Sequence, residues 1–188
     1  MNQHLAWYVA RATGIVAWML LSIAVILGLF FATRMGRGRV TPKWLLDLHQ
    51  FSGGLSVVFT ALHVGSLVAD NYVSFGWVEV LVPFSSHWRT GGVALGVVAT
   101  YLLVAVELSS LWMRHLPRIW WKRVHLASYW LFWMATFHFL MAGTDVSNPI
   151  SRVVLVVAIA WVVFLSLIRI LSQSKSKQPV KGKVSARG

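Results

Sequence analysis

KRVHLASYWLFWMATFHFL, residues 122–140, opens with two positive charges and then sets His125 and His138 thirteen residues apart in a run too apolar to face water. Helix of about 20 residues crosses about 30 Å of hydrocarbon, so a run of this kind reads as a membrane span. Comparable runs lie at Ile15–Ala32 and Val153–Leu171, and the mean hydropathy of the 188-residue chain is +0.69. A water-soluble domain of this size has too little interior to hide them. The pattern predicts an all-α, polytopic membrane helical bundle with five transmembrane helices. They start at Leu5 or Thr13 and run to Ala32, then His49–Val68, Gly91–Trp112, His125–Gly143 and Val153–Leu171. Helix is required throughout, because a backbone in lipid must satisfy its own N–H and C=O groups. The first run precedes four similar ones and has no evident small-residue cleavage site, so it is expected to be a span rather than a cleaved signal.

Charge sets the orientation. The formal net charge is +12, yet the basic residues are divided among loops and a tail and form no single face of the kind that nucleic acid requires. Fourteen of the seventeen fall on one side: Arg34, Arg37, Arg39 and Lys43, then Arg114, Arg118, Lys122 and Arg123, then six from Arg169 to Arg187. Only Arg11, Arg89 and Arg152 fall on the other. The positive-inside bias therefore places the N-terminus outside and the C-terminus in the cytoplasm. Residues 1–171 read as one transmembrane domain, and 172–188 as a basic, disordered cytoplasmic tail attracted to anionic lipid. The connection from Asp70 to Arg89 is expected to cap the outer surface, with a short amphipathic segment near Phe75–Val82.

Span two carries a second histidine pair, His49 and His63, fourteen residues apart. At 1.5 Å per residue each of the two spans sets its histidines about 20 Å apart, one near each end of the hydrocarbon. Both spans run from inside to outside, which brings His49 level with His125 and His63 level with His138. An imidazole in lipid is costly without a partner. Iron in a porphyrin takes two axial nitrogens from opposite faces, so two level pairs describe two stacked bis-histidine b-type haems. Gly53, Ser56 and Thr60 form a small stripe after His49 that lets a flat macrocycle, or another helix, come close. Thirteen residues leave a rotation of about 140° where fourteen leave about 40°, so span four is expected to depart from ideal geometry or to hold rotated haem planes. His4, His87 and His115 read as interfacial, with His87 retained as a neighbour of the outer haem.

Haem propionates seek cations near the membrane surfaces. Lys122 and Arg123 suit the inner haem, and Arg11 and Arg89 the outer one. Glu107 is the acid set deepest in an apolar run. The chain contains no Cys, which excludes thiolate ligands, iron–sulfur clusters and disulfides. Carboxylates are not spaced with the histidines for a zinc or dimetal site, and no H-E-x-x-H motif is present.

The spacings of His49 and His63 and of His125 and His138, with the aromatic-basic lead WWKRVHLASY, resemble the ferric reductase-like transmembrane domain family. That family includes ferric reductases, NADPH oxidase b-type subunits and the haem subunit of the bacterial methionine sulfoxide reductase system. The resemblance is strongest over residues 45–143. It implies the pairs His49/His125 for the inner haem and His63/His138 for the outer, and electron flow from the cytoplasm to the outer side of a bacterial plasma membrane. Gln50 follows His49 where members of the family often carry Arg. No Gly-rich dinucleotide loop is present, so the chain is expected to be an oxidoreductase component without its own flavin or NAD(P)H domain. Its expected partners are the bilayer, a flavoprotein or quinol donor, and an outer-side acceptor; a flavin or a quinone is a compatible further cofactor. The contrasting reading is a non-redox transport or assembly subunit whose histidines serve metal, proton or packing roles.

Overall fold

The computed structural model describes residues 5–33, 43–70 and 75–176. They form α1 (Leu5–Ala32), α2 (Lys43–Val68), α3 (Trp77–Leu81), α4 (Thr90–Leu111), α5 (Arg118–Leu126), α6 (Ser128–Ala142), a 3-10 turn (Asp145–Ser147) and α7 (Pro149–Ser176). No strand occurs among these residues. Four helices, α1, α2, α4 and the Pro149–Ser172 part of α7, are long and apolar enough to cross a membrane. The run expected as span four is divided. Its fifteen-residue portion, α6, is shorter than a bilayer needs, and α5 precedes it across a break at Ala127. α7 continues to Ser176, beyond the expected end at Leu171. Most of the expected basic tail, residues 177–188, lies outside the described residues, as do Arg34, Arg37, Arg39 and His4.

The break at Ala127 has a simple backbone cause. Its N–H donates to the carbonyl of Val124 at 2.9 Å, a bond to the third residue back rather than the fourth. Such a turn winds by about 120° per residue rather than about 100°. The overwinding moves His138 toward the face of His125, against the rotation left by a thirteen-residue spacing.

Helices α1 and α2 pack antiparallel, as do α4 and α6, and α7 lies along α1. The core joins Leu21, Val25 and Leu29 of α1, Ala99 and Leu103 of α4, Leu131 and Phe132 of α6, and Val162 and Leu165 of α7. Deeply buried polar groups are satisfied within it: Trp18 Nε1 donates to Thr136 Oγ1 at 3.1 Å. α2 differs, since its buried residues are Ser52, Gly53 and Ser56, all small. Its large side chains Phe51, Val58 and Leu62 face outward, as do Val153, Val156 and Phe164 of α7, which suits a lipid surround.

One end is closed by α3, where Phe75 and Val80 pack on Val93 and Val97 while Trp77, Val78 and Leu81 stay exposed. A short helix thus stands where an amphipathic segment was expected near Phe75–Val82, but its exposed side is apolar too; residues 71–74 of that connection lie outside the described residues.

Phe132 has 0 % exposure where α1, α4, α6 and α7 meet. In lipid, lost packing is the main cost of truncating it, because the unfolded side chain is still solvated by hydrocarbon. Phe132→Ala is expected to destabilise the bundle by about 2–3 kcal/mol, below the roughly 3–5 kcal/mol of water-soluble cores. A lowered melting temperature in detergent checks this; an unchanged one contradicts the assigned core.

Candidate functional site

The four histidines of α2, α5 and α6 meet in two pairs. The rings of His49 and His125 have centres 6.1 Å apart with planes crossed at 68°. Those of His63 and His138 are 6.2 Å apart and crossed at 76°. Ring nitrogens lie roughly 1 Å from the ring centre, so facing nitrogens remain about 4 Å apart, beyond the reach of a direct hydrogen bond. That gap is about twice a metal–imidazole bond of about 2 Å.

The second nitrogen of each ring explains how the pairs are held. His63 Nδ1 is 2.7 Å from the carbonyl of Ala10, His49 Nδ1 is 2.9 Å from that of Ala24, and His138 Nδ1 is 2.8 Å from that of Gly92. A carbonyl only accepts, so each of these Nδ1 atoms carries the proton and each Nε2 keeps a lone pair. His125 Nδ1 is 3.4 Å from Ser110 Oγ. The hydroxyl proton of Ser110 goes to the Val106 carbonyl at 2.8 Å, which leaves its oxygen to accept from Nδ1–H. All four imidazoles are therefore oriented through Nδ1 by outer partners, as metal-ligating histidines are.

Three glycines make these contacts fit. A Cβ on Gly14 would lie 2.8 Å from His63 Nδ1, and one on Gly96 would lie 2.6 Å from His138 Nδ1. On Gly28 it would meet His49 Cε1 at 3.3 Å. Each glycine follows the accepting carbonyl by four residues: Ala10 and Gly14 in ARATG, Ala24 and Gly28 in AVILG, Gly92 and Gly96 in GVALG. The carbonyl already accepts from the N–H four residues on, and the missing side chain lets an imidazole reach its other lone pair. The sequence reading passed over these glycines. The signal is there in the small-x-x-x-small pattern, and in the fourteen-residue spacing of Gly14 and Gly28 that copies that of His49 and His63.

Around His63 and His138 the helices leave an open-mouthed cavity. Small side chains line it, among them Ala10, Gly14, Thr60, Gly96, Ala99 and Ala135, with Trp7 and Trp88 nearer one end. Of the stripe on α2, Thr60 lines this cavity, Ser56 is fully buried with its hydroxyl on the Gly53 carbonyl at 2.6 Å, and Gly53 makes room for the Glu107 carboxylate. Glu107 lies three residues before Ser110 on α4, so it sits within a turn of the contact to His125.

The expected basic partners divide by environment. Arg11 lines the cavity and forms a bidentate pair with Asp145, Nε donating to Oδ2 at 2.9 Å and Nη2 to Oδ1. Asp145 is a site residue that the sequence reading missed, 134 residues away in the chain. Arg89 donates to the Met141 carbonyl at 2.7 Å and lies over the Trp88 ring at 5.1 Å. Lys122 and Arg123 are on the exposed side of α5, with Arg123 over Trp120 at 5.2 Å. His87 and His115 are exposed.

No group of three or more His, Cys, Asp or Glu side chains able to hold a metal ion occurs among the described residues. Each pair thus offers two imidazoles and, among the described residues, no third ligating side chain. This donor set suits a metal that brings its own equatorial ligands, and it leaves a bare tetrahedral ion half-coordinated.

The hydrogen bond from Arg11 holds the Asp145 carboxyl below the usual carboxylate range. A depressed folded value means that the stabilisation is complete above the unfolded pKa, near 4, and is lost as pH falls through the folded one. Thermal unfolding in detergent is expected to show this acid-side loss in the native chain and to lack it in Asp145→Asn; identical acid limbs would contradict the pair. Comparison of the chain with known protein families, characterised proteins and solved structures finds no match.

Proposed function

We propose that this chain is the membrane electron conduit of a reductase system, holding two b-type haems on His49/His125 and His63/His138. The observation that carries the reading is the state of the four imidazoles. Every Nδ1 is committed to an oxygen, and the rings face each other in pairs at 6.1 and 6.2 Å, the spacing of two axial ligands on one metal. His49 with His125 and His63 with His138 would hold the two haems, which would supply one-electron transfer there. The protein's part is to fix the distance between the two sites, orient the imidazoles and keep water away from them.

Several finer assignments belong to this reading. α5 and α6 together serve as a fifth crossing, 25 residues from Arg118 to Ala142. The N-terminus is outside and the C-terminus cytoplasmic, following the basic loops, in a bacterial plasma membrane. His49 and His125 then form the inner site, beside Lys122 and Arg123, which favour the carboxylates of an inner haem. His63 and His138 form the outer site, where Arg89 favours those of the outer haem and Arg11 is held by Asp145. The donor is a cytoplasmic flavoprotein or a membrane quinol, and the acceptor lies on the outer side. The spacing of the histidines and the WWKRVHLASY lead support kinship with the ferric reductase-like transmembrane domain.

Purified protein is expected to give a sharp b-type reduced-minus-oxidised spectrum with two haems per chain. His63→Ala should insert normally and keep about half the haem, since one of two axial pairs is lost. Absence of haem after expression with ample supply would remove the electron-transfer reading.

The crossed imidazole planes add an independent check. At 68° and 76° they are near perpendicular, which brings the iron d orbitals that lie along the ligand planes close in energy. Low-temperature EPR of the oxidised protein is expected to show isolated high-g features. A rhombic three-line spectrum would mean parallel planes and would overturn the ring geometry.

A further inference from the structure

Trp121 lies one turn before His125, and its indole stacks on that imidazole with centres 5.2 Å apart and planes within 22°. Its Nε1 is buried and has no hydrogen-bond partner. An unpaired buried donor costs about 1–3 kcal/mol and is rare. The chain does satisfy an indole in its own core, since Trp18 Nε1 is bonded to Thr136. The open donor of Trp121 is thus a local feature of the His125 site.

Its position identifies the missing acceptor. A group stacked beside an axial imidazole is displaced sideways from the ligand axis, so it lies over the rim of a macrocycle rather than over the metal. The rim is where a tetrapyrrole carries its carboxylates. Lys122 and Arg123, adjacent in sequence, supply positive charge for an anion there.

We propose that Trp121 Nε1–H donates a hydrogen bond to a carboxylate of the tetrapyrrole held between His49 and His125. This rests on the haem reading above and makes Trp121 a binding residue of that site. A neutral, geometrically fixed donor sets which edge of the macrocycle faces the basic residues, a choice that two axial nitrogens leave free. A lipid phosphate offers the same anionic oxygen, and the choice of haem separates the two sources.

The test uses the full chain in nanodiscs on a His63→Ala background, so that only the His49/His125 site is loaded. Apoprotein with and without Trp121→Phe is filled with iron protoporphyrin IX or with its dimethyl ester, and haem loss to a scavenging apomyoglobin is timed. Trp121→Phe is expected to lose the free acid about tenfold faster, equivalent to about 1.4 kcal/mol, and to release the ester no faster than its parent. Equal rates for the free acid, or equal acceleration with both haems, overturn the proposal; the second result assigns Trp121 to packing or to lipid. Should the Phe variant fail to fold, ultraviolet resonance Raman of the His63→Ala protein compares acid-loaded with ester-loaded samples. A strengthened indole N–H bond with the acid supports the proposal, and identical spectra overturn it. Native protein that binds no haem defeats both readings, whereas two haems with no effect at Trp121 defeat this one alone.

Discussion

The hydrogen bond from imidazole Nδ1 to a helix carbonyl above a glycine is the contact on which the rest of the arrangement depends. In hydrocarbon, an imidazole without a partner is expensive, and a carbonyl within a helix has one lone pair unused. Joining them satisfies both, and the join is specific because the ring reaches the carbonyl only where the residue four positions on has no side chain. α1 provides two such seats, at Ala10/Gly14 and Ala24/Gly28, with the same spacing as the two histidines of α2. The two helices therefore pair in an antiparallel register that sets both glycines against the rings, where a Cβ on Gly14 would come within 2.8 Å of His63 and one on Gly28 within 3.3 Å of His49. α4 repeats the device for His138 with Gly92 and Gly96, and Ser110 completes the set for His125. The same bonds that register the helices also fix the tautomers, so structure and ligand chemistry are settled together.

This explains the unusual character of α2. Within lipid there is no strong hydrophobic force between helices, and close packing does most of the work. α1, α4, α6 and α7 pack in that way around Phe132. α2 buries only Ser52, Gly53 and Ser56, and reaches across with His49 and His63. A helix held by small residues and histidines leaves space beside it, and the cavity on His63 and His138 is such a space. Filling α2 with larger inward side chains would tighten the bundle and close that cavity. The packing is thus looser where the site is and dense where only stability is at stake.

Much of this was legible from residue spacing. The apolar runs gave the helices, and the level placement of His49 with His125 and of His63 with His138 needed only the helical rise and two parallel spans. What escaped was what depends on contacts distant in the chain. Arg11 read as a partner for the carboxylates of the outer haem because nothing near it in sequence pairs with it, and Asp145 reaches it only when the turn after α6 folds back on α1. Gly14, Gly28 and Gly96 looked like ordinary glycines of membrane helices, because a glycine's role is set by what approaches it. The break at Ala127 has no proline to announce it; it is a local overwinding that lets a thirteen-residue spacing serve two facing partners. Trp121 was one of eleven tryptophans until the absence of an acceptor singled it out.

The number of donors at each site restricts what it can hold more tightly than their identity does. Imidazole accepts zinc, copper, nickel and iron, so four histidines by themselves leave the metal open. Here they are divided two and two, about 20 Å apart along the helices, and no site can borrow from the other. With no cysteine in the chain and no cluster of three ligating groups among the described residues, each pair suits a coordination sphere that arrives two-thirds assembled, metal and plane together. A flat cofactor then imposes its own demand: its faces need small residues and its rim needs donors. Gly14, Gly96, Ala10 and Thr60 meet the first demand beside His63 and His138. The unpaired indole N–H beside His125 answers the second at the other pair. Ligand count, cavity lining and orphaned donor are independent consequences of the sequence, and the proposed planar metal macrocycle accounts for all three.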